Sequence, residues 1–331
     1  MLNAREILAS YAGRRIVVTG GLGFLGSHLI RVLGDIDCQI VRVLRPGAIS
    51  DTRVSRAKIA DVCGDIRSGE LWERALPQAD FVFHLAGQTS ASVAARDPAG
   101  DFEANVLPIL RLLETSRRRG TRPAVLFAGT VTQTGIPIRL PVDESHPDNP
   151  STVYDLHKLM AENYLKFYAG ANVVRGASLR LANVYGAGPN SAHEDRAILN
   201  RIIKKAMAGE SISIHGPGHF LRDYIYVDDV ISAFLTAGAC IDALNGRHFV
   251  IGSGQGHAIK EAFHLVAERA ALRLGREVAV EHISPPGQPL PIDTRNFVAN
   301  TSSFVRDTGW RPRFTLRDGI DRTIEAYSCA S

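Results

Sequence analysis

A short apolar segment that runs straight into a glycine-rich loop constrains this chain more than any other feature. Residues 15–19 read RIVVT, residues 19–26 read TGGLGFLG, and an amphipathic helix begins at about residue 24. Glycines at this spacing let the backbone turn tightly and approach a pyrophosphate, whose charge the helix N-terminus favours. A purely structural turn is the alternative, but the strand–loop–helix context predicts a dinucleotide site. Its residues would be Gly20, Gly23, Phe24, Leu25 and Gly26.

The first half of the chain alternates short apolar runs with amphipathic stretches. We predict one helix over residues 24–33 and another over 101–119, where apolar residues recur with a period near 3.6. Strand–helix alternation is typical of a parallel sheet with helices on both faces. Further strands are predicted at residues 40–44, 59–62, 81–85, 124–127 and 177–180.

The composition of the sequence changes near residues 180–190, where glycine and proline become frequent and the apolar runs shorten. We therefore predict an α/β fold in two parts. A Rossmann-type doubly wound parallel sheet would occupy residues 1–182, with a return segment near 222–255. A smaller mixed α/β substrate domain would follow over residues 183–331.

Composition and charge exclude several other classes of protein. The net charge of +4, from 38 basic and 34 acidic residues, is too mild and too scattered for a nucleic-acid-binding surface. The four cysteines are far apart, so we expect no metal site and a reducing compartment. The first residues lack the apolar core of a signal peptide, and no apolar run reaches membrane-spanning length. These features favour a cytoplasmic protein with no membrane or nucleic-acid partner.

The end of the second predicted strand bears on the choice of cofactor. NAD-binding folds of this type place an acidic residue there, whereas this chain has Arg45. A guanidinium suits a 2′-phosphate, so Arg45 favours NADP(H) over NAD(H). The alternative is that Arg45 faces solvent and NAD binds. Asp65 and Ile66 follow the third strand, where they would lie near the adenine, although Asp65 is also typical of a helix cap.

The stretch YDLHK at residues 154–158 contains the pattern Tyr-x-x-x-Lys. Residues four apart share one face of a helix, so Lys158 would lie near the phenol of Tyr154 and favour its ionised form. Such a tyrosine can exchange a proton with a hydroxyl while hydride moves to or from the same carbon. Thr130 lies at the end of the fifth strand, where its hydroxyl would bond the same substrate oxygen.

Together these motifs resemble the extended short-chain dehydrogenases/reductases of the nucleotide-sugar epimerase/dehydratase family. The resemblance runs from about Arg15 to about Glu325. The stretches that carry it are TGGLGFLGSH at 19–28, GDI at 64–66, HLAGQ at 84–88, YDLHK at 154–158, LRLANVYG at 179–186, RDYIYVDDV at 222–230, IGSG at 251–254 and TGW at 308–310.

The resemblance implies roles for the matching positions. Thr130, Tyr154 and Lys158 would form the catalytic triad, and the last two would also bind the cofactor. The residues lining the cofactor's ribose and pyrophosphate would be Leu85, Ala86 and Gln88, and those contacting the substrate diphosphate would be Asn183, Arg222 and Arg295.

Several polar residues have a structural interpretation instead. For Arg222 this is a salt bridge to Asp228 or Asp229. His193 lies close to where ketosugar epimerase-reductases carry a loop histidine, but the register is off by about one residue, which favours a surface histidine. The residues expected to serve in packing or capping are His84, Asn105 and His157.

Three departures from the family carry information. The 4,6-dehydratases have Asp-Glu after the catalytic threonine, whereas Val131 and Thr132 stand here, which disfavours dehydratase chemistry. Gln133-Thr134-Gly135 replaces the usual Val-Tyr-Gly, so we expect an atypical pocket wall near the sugar. Arg45 replaces the aspartate through which NAD-retaining epimerases hold their cofactor.

These observations leave three functions open. Arg45 favours an NADP(H)-dependent ketoreductase that acts at C4 of a nucleotide-diphospho-4-keto-deoxysugar. A nucleotide-sugar 4-epimerase with retained NAD would use the same triad. A non-catalytic NADP-binding protein is the third, and the intact triad argues against it. The sequence leaves the nucleotide base and the sugar undefined.

The resemblance also implies a homodimer built through a four-helix bundle. Its helices would be the one over residues 102–119 and the one that carries Tyr154. The residues that would supply an apolar face there, or equally belong to the core, are Leu107, Leu110, Leu113, Leu159, Tyr164 and Phe167.

Overall fold

The computed structural model describes residues 2–48, 55–189, 197–284 and 294–329. Its strands are β1 (Arg15–Thr19), β2 (Gln39–Leu44), β3 (Lys58–Cys63), β4 (Phe81–His84), β5 (Ala124–Thr130), β6 (Arg175–Leu181), β7 (Asn183–Tyr185), β8 (Ile212–His215), β9 (Leu221–Tyr226), β10 (Arg247–Ile251), β11 (Gly256–Ala258) and β12 (Val280–Ile283).

Helices connect most of these strands, and one short 3₁₀ turn (Val131–Thr134) follows β5. The α-helices are α1 (Ala4–Ala9), α2 (Phe24–Leu33), α3 (Gly69–Ala75), α4 (Ala91–Arg96), α5 (Pro98–Asn105), α6 (Leu107–Arg119), α7 (Val153–Gly170), α8 (Ile198–Met207), α9 (Val227–Ala239), α10 (Ile241–Leu244), α11 (Ile259–Leu274), α12 (Ser302–Thr308) and α13 (Leu316–Cys329).

The central sheet has seven parallel strands in the order β10-β6-β5-β4-β1-β2-β3. Strand order reverses between β1 and β4, so the loops after these two strands diverge and leave a crevice at their carboxyl ends. The predicted Rossmann-type doubly wound fold is confirmed. Every predicted strand of the first half is present at the expected place.

Successive side chains of a strand point to opposite faces of the sheet, and both faces are covered by helices. In β1, Ile16 and Val18 belong to one buried cluster and Val17 to the other. The first cluster includes Leu29 of α2 and many residues of α9, and the second includes Leu165 of α7 together with residues of α3 and α6. Because β1, β4 and the first part of β5 are buried on both faces, they read as largely apolar runs, whereas the edge strand β3 is mostly exposed.

The helix predicted over residues 101–119 is in fact two helices. Helix α5 ends at Asn105, and α6 begins at Leu107 with Pro108 in its first turn. Proline has no N–H to donate and its ring clashes with the carbonyl four residues earlier, so the chain turns at Val106. The apolar period continues through the break, which is why periodicity alone predicted one helix.

The C-terminal part of the chain contributes one strand to the central sheet and builds two smaller sheets. Strand β10 returns to the large sheet beside β6, as a return segment requires. Strand β9 instead joins β11 and β7, and β12 pairs with β8. The boundaries predicted for the two domains, 1–182 and 183–331, stay a prediction.

One buried carboxylate fastens α7 to the sheet. Glu162 accepts hydrogen bonds from Arg180 of β6 at 3.0 and 2.7 Å, from Ser178 at 2.8 Å and from Gln133 at 3.0 Å. Arg180 also pairs with Asp148. Burial opposes the ionisation of Glu162, but the bonds and charge of Arg180 outweigh it and hold the pKa of Glu162 well below its usual range. This ion pair fixes the helix that carries Tyr154 and Lys158.

We expect Arg180→Met to be strongly destabilising, because it leaves the carboxylate of Glu162 buried without its main partner. The expected loss in the free energy of unfolding is about 3–5 kcal/mol, measured by urea denaturation. Arg175→Met on the same strand is the matched control. Arg175 pairs with Asp242, whose side chain is 81% exposed, so the loss should stay below ~1 kcal/mol. Equal losses for the two variants would contradict this account.

Candidate active site

The glycine loop lies between β1 and α2 and has the shape that a pyrophosphate requires. Gly20 has φ +68°, and the N–H of Gly23 donates to the Gly20 carbonyl at 2.8 Å. A Cβ on Gly26 would lie 2.2 Å from that same carbonyl oxygen, so only glycine fits. Among the residues that the structure describes, no side chain caps the N-terminus of α2, which leaves the amides of its first turn for an anion. These residues fit the dinucleotide predicted here.

Thr19 ties together the two strands that border the crevice. Its Oγ1 accepts the backbone N–H groups of Leu85 at 3.1 Å and Ala86 at 3.0 Å, across from β1 to the end of β4. The same hydroxyl lies 3.2 Å from Nδ1 of His84. Burial, with a smaller effect of Lys158, lowers the pKa of His84 to about 3, so the ring is neutral. The structural role expected for His84 matches this contact.

Gln88 is held in place by a buried polar cluster. Its Nε2 donates to Asp101 Oδ1 at 2.7 Å, and its backbone carbonyl accepts from Asn105 at 3.0 Å. Asp101 Oδ2 lies 2.7 Å from Nδ1 of His157, which directly precedes Lys158. Asn105 and His157 therefore have the structural roles expected of them. The cluster joins the loop after β4 to α5 and α7, and it places Gln88 beside the predicted cofactor crevice.

Tyr154 and Lys158 occupy successive turns of α7, as predicted. The ammonium of Lys158 is buried and lies 4.2 Å from the ring centroid of Phe127. Burial lowers the pKa of Lys158 to about 8, against the opposing effect of the Asp101 and Glu162 carboxylates. Lys158 thus keeps its pKa above neutral pH, and it follows Tyr154 by one helical turn.

Thr130 lies at the end of β5 and belongs to a hydrogen-bonded chain that sequence reasoning missed. Its Oγ1 lies 3.0 Å from Oγ1 of Thr132, and the hydroxyl of Thr132 donates to a carboxylate oxygen of Asp155. Asp155 directly follows Tyr154 and is fully buried. A carboxylate next to the candidate catalytic tyrosine was the one sequence signal, but it also fits an acidic residue in the first turn of a helix.

The expectation of an atypical pocket wall at Gln133 and Thr134 stays a prediction. Both side chains are buried in the structure. Gln133 Oε1 accepts the backbone N–H of Thr130 at 2.8 Å, and its Nε2 donates to Glu162. Thr134 donates to the carbonyl of Val131 at 2.7 Å. These residues lock the turn behind Thr130.

The residues predicted to contact the adenosine half of the cofactor lie on or near the surface. Arg45 is exposed directly after β2. The carboxylate of Asp65 accepts hydrogen bonds from Nε and Nη2 of Arg67, and these bonds are the main cause of the lowered pKa of Asp65. Ser68, not Asp65, caps α3. Ile66 is half-buried, and its carbonyl accepts the indole N–H of Trp72 at 2.9 Å.

Two of the predicted substrate residues lie together. Nη1 of Arg222, at the start of β9, donates to the carbonyl of Arg295. Arg295 is largely buried and its charge acts on Asp155, which connects this pair to the Thr130 chain. Asn183 follows β6, two residues beyond the Leu181 position that pairs with Thr130.

Other candidates of the sequence analysis have different outcomes. The salt-bridge partners considered for Arg222 are engaged elsewhere: Asp228 pairs with Arg31, and Asp229 accepts backbone N–H groups of Arg313 and Phe314. His193 lies outside the described residues. Within the described part of the chain there is no His/Cys/Asp/Glu group suited to a metal ion. None of the described helices has the length and apolarity needed to cross a bilayer.

Comparison with known proteins agrees with this geometry. Residues 16–252 match the model of the NAD dependent epimerase/dehydratase family. This chain belongs to that family. As a family member it is a nucleotide-sugar-modifying enzyme that depends on NAD(P).

Several UDP-glucose 4-epimerases are similar to this chain over nearly their whole length. The UDP-glucose 4-epimerase of Mycolicibacterium smegmatis is 29% identical over 95% of this chain and 98% of its own. The crystal structure of UDP-glucose 4-epimerase from Thermotoga maritima, with UDP-glucose, has a TM-score of 0.83 at 28% identity, covering 96% of this chain and 99% of that one. The complex of Thermus thermophilus UDP-glucose 4-epimerase with NAD has a TM-score of 0.80 at 28% identity, covering 96% and 100%.

We expect Gly26→Ala to impair cofactor binding, because the added Cβ meets the Gly20 carbonyl at 2.2 Å and forces the loop to shift. Binding of NADH or NADPH, followed by the fluorescence of the dihydronicotinamide, should weaken at least ~10-fold. Gly69→Ala is the control, because a Cβ on Gly69 has no heavy atom within 4 Å. Unchanged affinity of the Gly26→Ala protein would exclude the loop as the pyrophosphate site.

Proposed function

We propose that this protein is a nucleotide-sugar 4-epimerase. The full-length similarity to UDP-glucose 4-epimerases carries this proposal, and an intact Thr130, Tyr154 and Lys158 supports it. The comparisons thus favour the epimerase over the ketoreductase that Arg45 indicated. A uridine diphosphate sugar is the substrate class that the relatives' names suggest.

The residues of the site supply the proton chemistry of such a reaction. Tyr154 would take the proton of the C4 hydroxyl and return it after the sugar has turned over. Lys158 would favour the phenolate, since its charge is confined beside Tyr154 by burial. Thr130 would contact the same oxygen. The nicotinamide ring of a bound NAD(P) supplies the acceptor for the C4 hydride, and the glycine loop would hold its pyrophosphate.

Three further residues are proposed to bind the substrate diphosphate: Asn183, Arg222 and Arg295. The contact between Arg222 and the Arg295 backbone supports this for the two arginines, because it brings both residues to one place. A planar guanidinium matches phosphate oxygens better than an ammonium does. Leu85, Ala86 and Gln88 are proposed to line the cofactor.

We expect the purified protein to interconvert UDP-glucose and UDP-galactose without net oxidation or reduction of cofactor. Tyr154→Phe should slow this roughly 10²–10⁴-fold, because the variant cannot exchange the C4 proton. Tyr164→Phe on the same helix is the control and should retain activity, since Tyr164 packs against the buried cluster of α7. The sugar products are measured by chromatography. Absence of C4 inversion in the wild type would refute the proposal.

The second candidate is an NADP(H)-dependent reductase of a nucleotide-diphospho-4-keto-deoxysugar. The observation that favours it is Arg45, exposed where an NAD-binding relative would carry an acidic residue. Stoichiometric consumption of NADPH with a 4-keto-deoxysugar nucleotide, and no epimerisation, would support this candidate over the first.

Arg45→Asp should shift cofactor preference from NADP(H) toward NAD(H), because it replaces a cation that suits a 2′-phosphate with a carboxylate that suits ribose hydroxyls. Loss of a charge-assisted hydrogen bond is worth about 1.5–3 kcal/mol, so NADPH affinity should fall roughly 10–100-fold. Titration of the wild type and the variant with both cofactors measures this. If the ratio of NADPH to NADH affinity does not change, Arg45 plays no part in the choice.

Some expectations of the sequence analysis stay predictions. A homodimer through α6 and α7 is favoured by Phe167, which is 71% exposed, but Leu113 lies in the core and would not contribute. A cytoplasmic location and the two-domain boundaries also stay predictions.

A further inference from the structure

We propose that Asp155 determines the direction in which the Thr130 hydroxyl donates its hydrogen bond, and that it acts through Thr132. This makes Asp155 and Thr132 positioning residues of the site. The inference rests on the proposed function for the identity of the substrate oxygen, but the hydrogen-bond chain itself is independent of that function.

Three side chains form the hydrogen-bond chain, in the order Thr130, Thr132 and Asp155. Thr130 Oγ1 and Thr132 Oγ1 are 3.0 Å apart, and Thr132 Oγ1 is hydrogen-bonded to Asp155 Oδ1. Elements far apart in the sequence supply the ends, since Thr130 ends β5 and Asp155 lies in the first turn of α7. The hydroxyl of Thr152 accepts the backbone N–H of Asp155 at 3.1 Å and fixes that turn.

The number of hydrogens available decides which atom donates in each bond of this hydrogen-bonded series. An ionised carboxylate only accepts, and each hydroxyl has a single hydrogen to donate. When Asp155 is ionised, Thr132 donates to it, and the oxygen of Thr132 accepts from Thr130. The hydrogen of Thr130 is then committed inside the protein. Thr130 Oγ1 also accepts the backbone N–H of Thr132 at 3.3 Å, so a substrate oxygen beside it would meet the remaining lone pair rather than the hydrogen.

Protonation of Asp155 reverses every bond in the chain. The carboxylic acid donates to Thr132, Thr132 donates to Thr130, and the hydrogen of Thr130 becomes free to donate to a ligand. A carbonyl or developing alkoxide oxygen at C4 accepts that hydrogen, and it is stabilised only in this state of the chain. The protonation state of a residue that never touches substrate therefore controls a group that does.

The surroundings of Asp155 allow both states. Its side chain is fully buried, and Oδ2 accepts no hydrogen bond from any residue that the structure describes. Burial raises the pKa of Asp155, opposed by the hydrogen bonds from Thr132 and Thr152 and by the charge of Arg295. Arg295 is the charged group that faces Asp155 from the C-terminal segment, and the hydroxyls of Thr132 and Thr152 face it from the 3₁₀ turn and from the start of α7.

The experiment compares the wild type with Thr132→Val and Asp155→Asn. Thr134→Val is the matched control, because Thr134 lies in the same turn, is buried and bonds only the carbonyl of Val131 among the described residues. Epimerase kcat/KM is measured against pH. Protonation of Asp155 is followed separately by the carboxylic acid C=O band in infrared difference spectra, assigned by its loss in Asp155→Asn.

We expect the wild-type kcat/KM to fall roughly tenfold as Asp155 ionises, because Thr130 then stops donating to the substrate oxygen. Thr132→Val should abolish this step in the pH profile and move the titration of the infrared band to higher pH, since the ionised carboxylate has lost a donor. Asp155→Asn should also lack the step. Thr134→Val should keep both the step and the wild-type infrared titration.

The two readouts separate failure of this inference from failure of the proposed function. If Thr132→Val leaves the infrared titration unchanged, the chain does not exist and the inference is wrong, whatever the enzyme catalyses. If the band shifts but the step persists in Thr132→Val, Asp155 does not act through Thr130 and the inference is equally wrong. A shifted band in a protein with no epimerase activity would support the chain and refute the proposed function.

Discussion

The buried carboxylate of Glu162 is the contact on which the candidate site depends. It receives Arg180 from the sheet and Gln133 from the turn after β5, while it belongs to the helix that carries Tyr154 and Lys158. A buried charge of this kind is costly unless its partners satisfy it, so the partners must come to a fixed geometry. The helix and the strand end that meet at the site are thereby positioned by the same group.

The chemistry of the site follows from burial in a similar way. Lys158 lies against the ring of Phe127 with its charge opposed by burial and favoured by Asp101 and Glu162. A cation in such surroundings is not screened by water, and its effect on a neighbouring phenol is larger than it would be on the surface. The arrangement suits proton exchange at a sugar hydroxyl and is common to the epimerases and reductases of the family. The triad therefore does not separate those two reactions, and the similarity to UDP-glucose 4-epimerases is what led us to propose the first.

Local signals predicted the parts of the fold and site that depend on neighbouring residues. The glycine loop, the strands and the Tyr154–Lys158 pair are each written in one short stretch, and the structure places them as expected. The break at Val106 was missed because the apolar period continues across it, although Pro108 was a visible signal. The location of Gln133 could not be predicted, since its partner Glu162 is 29 residues away. The same holds for Thr132 and Asp155, whose contact joins a turn to a helix 23 residues later.

Thr19 orders the walls of the cofactor crevice before any ligand binds. Its hydroxyl oxygen accepts the N–H groups of Leu85 and Ala86 at the point where the strand order of the sheet reverses. Two backbone groups that would otherwise need water or a ligand are already paired, so the walls of the crevice are set before anything enters it. A ligand that binds there gives up its own freedom but does not have to order the protein as well. The conformational entropy of this part of the site is lost when the chain folds, and not when the ligand binds.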